Sequence, residues 1–209
     1  MREMDAPMAE PRPRLILASA SPRRLDLLAS AGLVPDAVEP TDIDESEIPG
    51  ELPGPLARRL ALEKASAHPD TDAYVLAADT VVGVGRRILP KAETEAQARA
   101  CLALLSGRNH RVYTGIALRT PDGELTAKLV ETRVRFKRLS AAELESYIAS
   151  GEWRGKAGGY GIQGRAGAYV ISLIGSYTGV VGLPIHETVN LLAGRGYPVL
   201  DVQNETKTP

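Results

Sequence analysis

The stretch LILASASPRRLDLLASAG, residues 15–32, decides the fold class, because an apolar run leads directly into a helix-start signal. Leu15 to Ala18 are continuously apolar, as in a short buried strand. Ser21 supplies a hydroxyl cap, and Pro22 suits the first helical position. Leucines on one face follow, and Gly32 is well placed to end the helix. The stretch therefore predicts a strand that turns straight into a helix, a unit of an α/β protein.

The rest of the chain adds strands and helices without a strict alternation. The predicted strands are VLAA (75–78), VYTGIAL (112–118), LVETRVRF (129–136), which alternates as a half-exposed antiparallel strand does, and YVISLI (169–174). LARRLALEKA (56–65) is predicted to be a helix, and a last helix is predicted from near Pro184 to before Gly194. Two more helices are predicted to begin at capping boxes, Thr94 with Gln97 and Ser140 with Glu143. The acidic, Pro- and Gly-rich stretch 38–55 is predicted to be a surface loop. These elements predict an α/β or α+β fold with a mixed sheet, in one folding unit.

Composition excludes several classes of protein. A formal net charge of −1 over 209 residues argues against the broad basic surface of a general nucleic-acid binder. The lone cysteine, Cys101, excludes a disulfide framework and a multi-cysteine zinc site. No apolar run approaches the ~18–20 residues of a membrane span. We expect a cytoplasmic protein with a disordered extension over residues 1–13, a single domain over 14–200 and a flexible tail over 201–209.

The junction ASASPRR carries the first candidate site. Ser19 and Ser21 follow the strand, and Arg23 and Arg24 lie in the first turn of the helix. Free N–H groups and a partial positive charge make a helix N-terminus ready to bind an anion. Arginines are electrostatically unfavourable there, and a bound phosphate would resolve that conflict. In the alternative interpretation, both arginines simply point to solvent.

Acidic side chains mark two further candidates. In VLAADTVV (75–82), Asp79 and Thr80 follow an apolar strand, and α/β folds place active sites at strand ends. Asp79 can hold Mg²⁺ or orient a water, or it can be a strand-end turn former. In DIDE (42–45), Asp42, Asp44 and Glu45 are hard oxygen ligands suited to Mg²⁺ or Mn²⁺, although acidic loops are commonly just solvated.

The glycine-rich stretch GKAGGYGIQG, residues 155–164, is the fourth candidate. Glycines let a backbone approach a ligand closely, and Lys156 can neutralise a phosphate. Gln163 has an amide that both donates and accepts, as reading a base edge requires. The stretch is not a Walker loop, because Ser150 stands where the first glycine should be and Ala157 follows the lysine. The alternative is a tight structural turn.

Taken together, these motifs resemble those of the Maf family of nucleotide pyrophosphatases. The matching stretches, from about Leu15 to Leu192, are ASASPRRLDLLASAGL, LEKA, AADTVV, LSGRNHRVYTG, SGEWRGKAGGYGIQG and GSYTGVVGLP. The resemblance implies an elongated mixed β-sheet flanked by helices, with two lobes and a central cleft, similar to the inosine triphosphate pyrophosphatases. It also implies metal-dependent hydrolysis of a nucleoside triphosphate to the monophosphate and pyrophosphate, with Mg²⁺ or Mn²⁺ as the cofactor.

The resemblance assigns roles to acidic and cationic residues. Asp79 matches the family's catalytic proton acceptor, which also lies at the metal, and Asp44 and Glu45 match the acidic loop that helps to bind the metal. Lys64 of LEKA and Lys91 match lysines that line the cleft. Around Lys91 the family commonly reads LGKP, whereas this chain reads LPKA.

The resemblance also bears on the substrate. Arg23 and Arg24 match the arginines of SPRR that contact phosphate. The motif KAGGYGIQG looks like the branch of the family that prefers dTTP and UTP, in which Arg23, Thr80 and Gln163 set the base preference. A threonine and a glutamine can pair with the O4 and N3–H edge of a pyrimidine. A homodimer is a further expectation from the resemblance.

Two other classes of function stay open at this stage. A protein that senses nucleotides without hydrolysing them would keep the arginines yet tolerate loss of Asp79, so the presence of that acid argues against it. A regulator of septum formation acting through protein contacts, a role attached to the family's name, has no visible signature in the sequence.

Overall fold

The computed structural model describes residues 12–70 and 72–199. Its strands are β1 (Leu15–Ala18), β2 (Ala37–Val38), β3 (Tyr74–Val84), β4 (Arg87–Leu89), β5 (Lys91–Ala92), β6 (Asn109–Arg119), β7 (Leu125–Phe136), β8 (Lys156–Ala157) and β9 (Val170–Ile174). Its helices are α1 (Pro22–Ser30), α2 (Pro53–Ala67), α3 (Glu95–Leu105), α4 (Ala141–Ser150), α5 (Tyr177–Val181) and α6 (Ile185–Gly194), with a 3-10 turn at Arg165–Tyr169.

The main sheet has seven strands in the order β2-β1-β3-β6-β7-β9, with β4 also paired to β3. Strand β1 runs parallel to β2 and β3, whereas β3, β6, β7 and β9 pair antiparallel. Strands β5 and β8 form a separate two-stranded sheet. The predicted α/β class with a mixed sheet is confirmed.

Helices cover both faces of the sheet. On one face, Leu17 and Leu76 pack with Leu28 of α1 and Leu192 of α6. On the other face, alanines of α2 pack against β1 and β3. A separate core at the far end of the long strands contains Val82, Val112 and Phe136 with side chains of α3 and α4. The cores therefore lie toward opposite ends of β3 and β6, which agrees with the expected two lobes.

A gap in the strand pairing opens the cleft between these cores. The parallel ladder of β1 and β3 ends where Ala18 pairs with Ala77. On the same edge of β3, the ladder with β4 begins only at Val82. Among the described residues, no strand covers 78–81 on that edge. Because β1 ends here and turns into α1, the gap brings the start of α1 close to Asp79.

Most sequence-based elements are confirmed. Both capping boxes form, with the Thr94 side chain accepting from the N–H of Gln97 and that of Ser140 accepting from the N–H of Glu143. Strand β7 alternates as predicted, and α6 lies where the last helix was expected. Helix α1 begins at Pro22, as the sequence indicates.

Four details of the sequence-based prediction are wrong. Helix α2 begins at Pro53, inside the stretch expected to be a loop, because prolines are tolerated in a first turn. Ser21 occupies the cap position of α1, but its side chain makes no capping hydrogen bond. Asp79 lies within β3 and not at its end, because antiparallel pairing with β6 continues as far as Gly83. The short helix α5 was not predicted, since five residues are too few to show a helical period.

The chain ends are described only in part. Arg12, within the stretch 1–13 that the sequence predicts to be disordered, donates hydrogen bonds to Asp36 (2.8 Å) and to the hydroxyl of Tyr197 (2.7 Å). The other residues of the extension, 1–11, and the tail 201–209 lie outside the described residues. Within the described part of the chain, no helix has the length and apolar character needed to cross a membrane.

Candidate active site

A cleft of about 370 Å³ lies at the gap in the sheet. Its walls come from the β1–α1 junction, the acidic loop, α2, β3, the two-stranded β5–β8 sheet, the glycine-rich stretch and the end of α5. The candidate residues that line it are Ser19, Ser21, Arg23, Arg24, Glu45, Lys64, Asp79, Thr80, Lys91, Lys156 and Gln163. The structure therefore brings together every candidate residue except Asp42 and Asp44.

A chain of alternating charges crosses the floor of the cleft. The Nζ of Lys64 lies 2.6 Å from Oδ1 of Asp79 and 2.6 Å from Oε1 of Glu45. The Nζ of Lys91 lies 2.5 Å from the other oxygen of Glu45. Asp79 and Lys64 are 3% and 7% exposed, so their pair is buried. The four side chains neutralise one another in the absence of a ligand.

The acidic loop contributes one carboxylate to the cleft, not two. Burial opposes ionisation of Glu45, but hydrogen bonds from Lys64 and Lys91 outweigh it and lower the pKa of Glu45 to about 2. Asp44 is exposed, and its carboxylate accepts a hydrogen bond of 2.9 Å from the N–H of Ser46. Neighbouring residues of an irregular loop point in different directions, and here only Glu45 points inward.

The cleft carries oxygen donors of the kind that a divalent cation takes as ligands. Carboxylate oxygens of Asp79 and Glu45 each lie 2.6 Å from Nζ of Lys64, so the two carboxylates are close neighbours in the cleft. Among the described residues, no group of three or more His, Cys, Asp or Glu side chains is placed to hold a metal. Mg²⁺ is commonly held by one or two carboxylates, with substrate phosphates and waters completing its shell.

The two arginines in the first turn of α1 are held differently. Arg24 donates from Nη1 to the Ser19 hydroxyl (2.8 Å) and from Nε to the carbonyl of Gly182 (2.9 Å). Burial lowers the pKa of Arg24, which nonetheless stays charged at any physiological pH. Among the described residues, the Arg23 guanidinium has no such partner. Arg23 instead lies near Lys156, whose pKa is lowered by burial and by the Arg23 charge.

Helix α4 and the turn after it anchor the glycine-rich stretch. The N–H of Gly161 donates to the Tyr147 hydroxyl (3.2 Å), and the N–H of Arg165 donates to Glu152 (2.8 Å). A Cβ at Gly161 would lie 2.8 Å from Cε of Lys156, so this position leaves room for the lysine side chain. Gln163, between these anchors, is exposed at the rim of the cleft.

Comparison with known proteins identifies the family. A family model described as Maf-like protein matches residues 14–195. The chain belongs to the Maf family.

Two of its curated relatives are named dTTP/UTP pyrophosphatase. The one from Maricaulis maris is 77% identical over 91% of this chain and 92% of its own length. The one from Caulobacter vibrioides is 64% identical over 88% of this chain and 97% of its own length. A dITP/XTP pyrophosphatase structure from Mycobacterium abscessus is 21% identical and covers 61% of this chain and 75% of its own, with a TM-score of 0.40, too weak a likeness to support an argument.

Sequence reasoning missed two residues that shape this Maf cleft. The Gly182 carbonyl fixes Arg24, and the φ of Gly182 is 140°, a region that favours glycine. Tyr160 lines the cleft, and its hydroxyl contacts Nε2 of the buried His110 at 2.7 Å. Gly182 lies in GSYTGVVGLP and Tyr160 in KAGGYGIQG, two of the stretches that resemble the family, but residue type alone assigns neither position a role.

Proposed function

We propose that the chain hydrolyses dTTP and UTP to the nucleoside monophosphate and pyrophosphate. The observation that carries this proposal is the buried Asp79–Lys64 pair, which shares one cleft with two arginines at a helix N-terminus. The names of the curated relatives support the substrate class. The proposal extends to modified pyrimidine nucleotides that keep O4 and N3–H, because these are the groups that Thr80 and Gln163 are proposed to contact.

Binding of the triphosphate depends on cationic side chains. A triphosphate brings about four negative charges, and the leaving pyrophosphate gains more in the transition state. Arg23, Arg24 and the N–H groups at the start of α1 contact phosphate oxygens, with Lys156 on the facing wall. Hydrogen-bond donors that are held in place before the substrate binds need not reorganise as charge develops in the transition state. They therefore stabilise that charge effectively.

Asp79 takes the proton of the attacking water. The water oxygen forms a bond to the α-phosphorus, and the bond from the α-phosphorus to the bridging oxygen breaks and releases pyrophosphate. Lys64 holds the Asp79 carboxylate in position through its 2.6 Å contact. Mg²⁺ or Mn²⁺, held by Asp79 and Glu45, would lower the pKa of bound water and neutralise developing charge.

Thr80 and Gln163 contact the base in this proposal, because their hydrogen-bonding groups match O4 and N3–H of uracil and thymine. The second candidate function, a non-catalytic nucleotide-binding regulator of cell division, needs no carboxylate at position 79. A buried carboxylate paired with a lysine inside the cleft favours the enzyme. The expected homodimer stays a prediction.

The test is a panel of dTTP, UTP, CTP and GTP offered to the purified chain with Mg²⁺ or Mn²⁺, with monophosphate and pyrophosphate quantified. The wild type should favour dTTP and UTP. The Asp79→Asn variant should lose about 10²–10⁴-fold in kcat, as general-base loss typically does. Near-normal kcat in that variant at saturating metal would remove Asp79 from the mechanism. Tight binding without any turnover by the wild type would favour the regulator.

A further inference from the structure

Two threonines form a hydrogen-bonded chain that begins at the wall of the cleft. Thr80 of β3 and Thr114 of β6 are direct cross-strand partners. Their hydroxyl oxygens lie 3.1 Å apart. The Thr114 hydroxyl also lies 2.7 Å from the carbonyl oxygen of Gly179 in α5, and Thr114 is 1% exposed. Thr80 lines the cleft, whereas Thr114 does not.

The direction of these hydrogen bonds is fixed by the carbonyl. A carbonyl oxygen only accepts, so the single hydroxyl hydrogen of Thr114 is directed to Gly179. The Thr114 oxygen can then only accept from Thr80, which directs the Thr80 hydrogen away from the cleft. Thr80 is left with lone pairs for a ligand and no hydrogen to donate.

We propose that Thr114 is a positioning residue that makes Thr80 a hydrogen-bond acceptor, and that this polarity selects uracil and thymine over cytosine. The proposal rests on the function proposed above. Uracil and thymine carry a hydrogen on N3, which an acceptor oxygen can bind. The N3 of cytosine carries a lone pair, which an acceptor oxygen repels. A freely rotating hydroxyl would serve both kinds of base, so the discrimination requires Thr114.

The test measures kcat/KM for UTP and for CTP in the wild type, in Thr114→Val and in Thr114→Ser. Valine keeps the branched shape but removes the hydroxyl, which frees the Thr80 hydrogen to rotate toward cytosine N3. We expect the UTP-to-CTP ratio to fall at least about tenfold in Thr114→Val, and to stay near the wild-type ratio in Thr114→Ser, which keeps the hydroxyl. A merely structural role of Thr114 would lower both rates together and leave the ratio unchanged, which would overturn the proposal.

A measurement on the wild type keeps the proposal testable if Thr114→Val does not fold. The triphosphate of 3-deazauridine has C–H in place of N3–H and should lose at least about tenfold in kcat/KM relative to UTP. Equal turnover of the two would overturn the acceptor assignment. A wild type that fails to hydrolyse UTP overturns the proposed function and this proposal together. A wild type that prefers UTP over CTP, with an unchanged ratio in Thr114→Val, overturns only the role of Thr114.

Discussion

Lys64→Met should destabilise the fold far more than Lys91→Met, although both lysines contact Glu45. Lys64 is buried with Asp79, and its removal leaves the carboxylate of Asp79 buried without its ammonium partner. Breaking a buried pair in this way costs about 3–5 kcal/mol. Glu45 is 40% exposed at its side chain and can turn to water, so we expect the lower end, about 3 kcal/mol.

Lys91→Met is the matched control. The Lys91 side chain is 47% exposed, and exposed pairs contribute about 0–1 kcal/mol. The methionine keeps most of the aliphatic stem in both variants, so the comparison isolates the ammonium. For a chain of this size, 3 kcal/mol corresponds to a fall in Tm of roughly 6–12 °C.

The assay is urea unfolding without nucleotide, followed by the fluorescence of Trp153, the single, buried tryptophan. A double variant, Lys64→Met with Asp79→Leu, separates the unpaired charge from lost packing, because it removes both charges. It should be more stable than Lys64→Met alone. Equal costs for Lys64→Met and Lys91→Met, or no recovery in the double variant, would refute the reasoning.

Three further predictions concern the cleft and the core. Arg23→Ala should lower kcat/KM for every triphosphate with little change in Tm. Arg24→Ala should lower both kcat/KM and Tm, because Arg24 also joins α1 to the end of α5. Equal Tm values for the two variants would contradict this prediction. Gln163→Glu should depress hydrolysis of dTTP and UTP more than that of GTP, because a carboxylate cannot donate to O4; a uniform fall across bases would show that Gln163 supports the loop only. Burial lowers the pKa of His110 from 6.5 to about 4, so between these pH values the unfolded chain binds a proton that the folded chain does not. The free energy of unfolding of the wild type should therefore fall as pH falls from 6.5 to 4. The fall should be less steep in His110→Gln, in which the glutamine amide can still bond to Tyr160. The same dependence of this free energy on pH in both proteins would exclude His110 as the cause.

Local signals in the sequence predicted much of the fold. The two capping boxes, the proline at the start of α1 and the alternation of β7 depend on neighbours within a few residues, and all four are confirmed. The continuation of β3 past Asp79 depends on pairing with β6, a contact between distant parts of the chain. The polar residues Asp79 and Thr80, which follow an apolar run, therefore predict a strand end that the structure does not have.

In the candidate site too, local sequence signals predicted some features, whereas features that depend on distant contacts were not predicted. Residue types and motif order predicted which side chains enter the cleft, but not how they meet. That Glu45 and not Asp44 faces Lys64 depends on the path of an irregular loop, which spacing does not determine. The carbonyl groups of Gly179 and Gly182, which direct Thr114 and hold Arg24, belong to backbone that no residue pattern assigns.

The most direct test of the proposed function is hydrolysis of UTP by the wild type in water enriched in oxygen-18, with Asp79→Asn as the control. Attack at the α-phosphorus predicts UMP and pyrophosphate, with the labelled oxygen in UMP and unlabelled pyrophosphate. Asp79→Asn should form the same labelled product at a rate lower by about 10²–10⁴-fold. Label in pyrophosphate, release of UDP and phosphate, or equal rates in the two proteins would contradict the account.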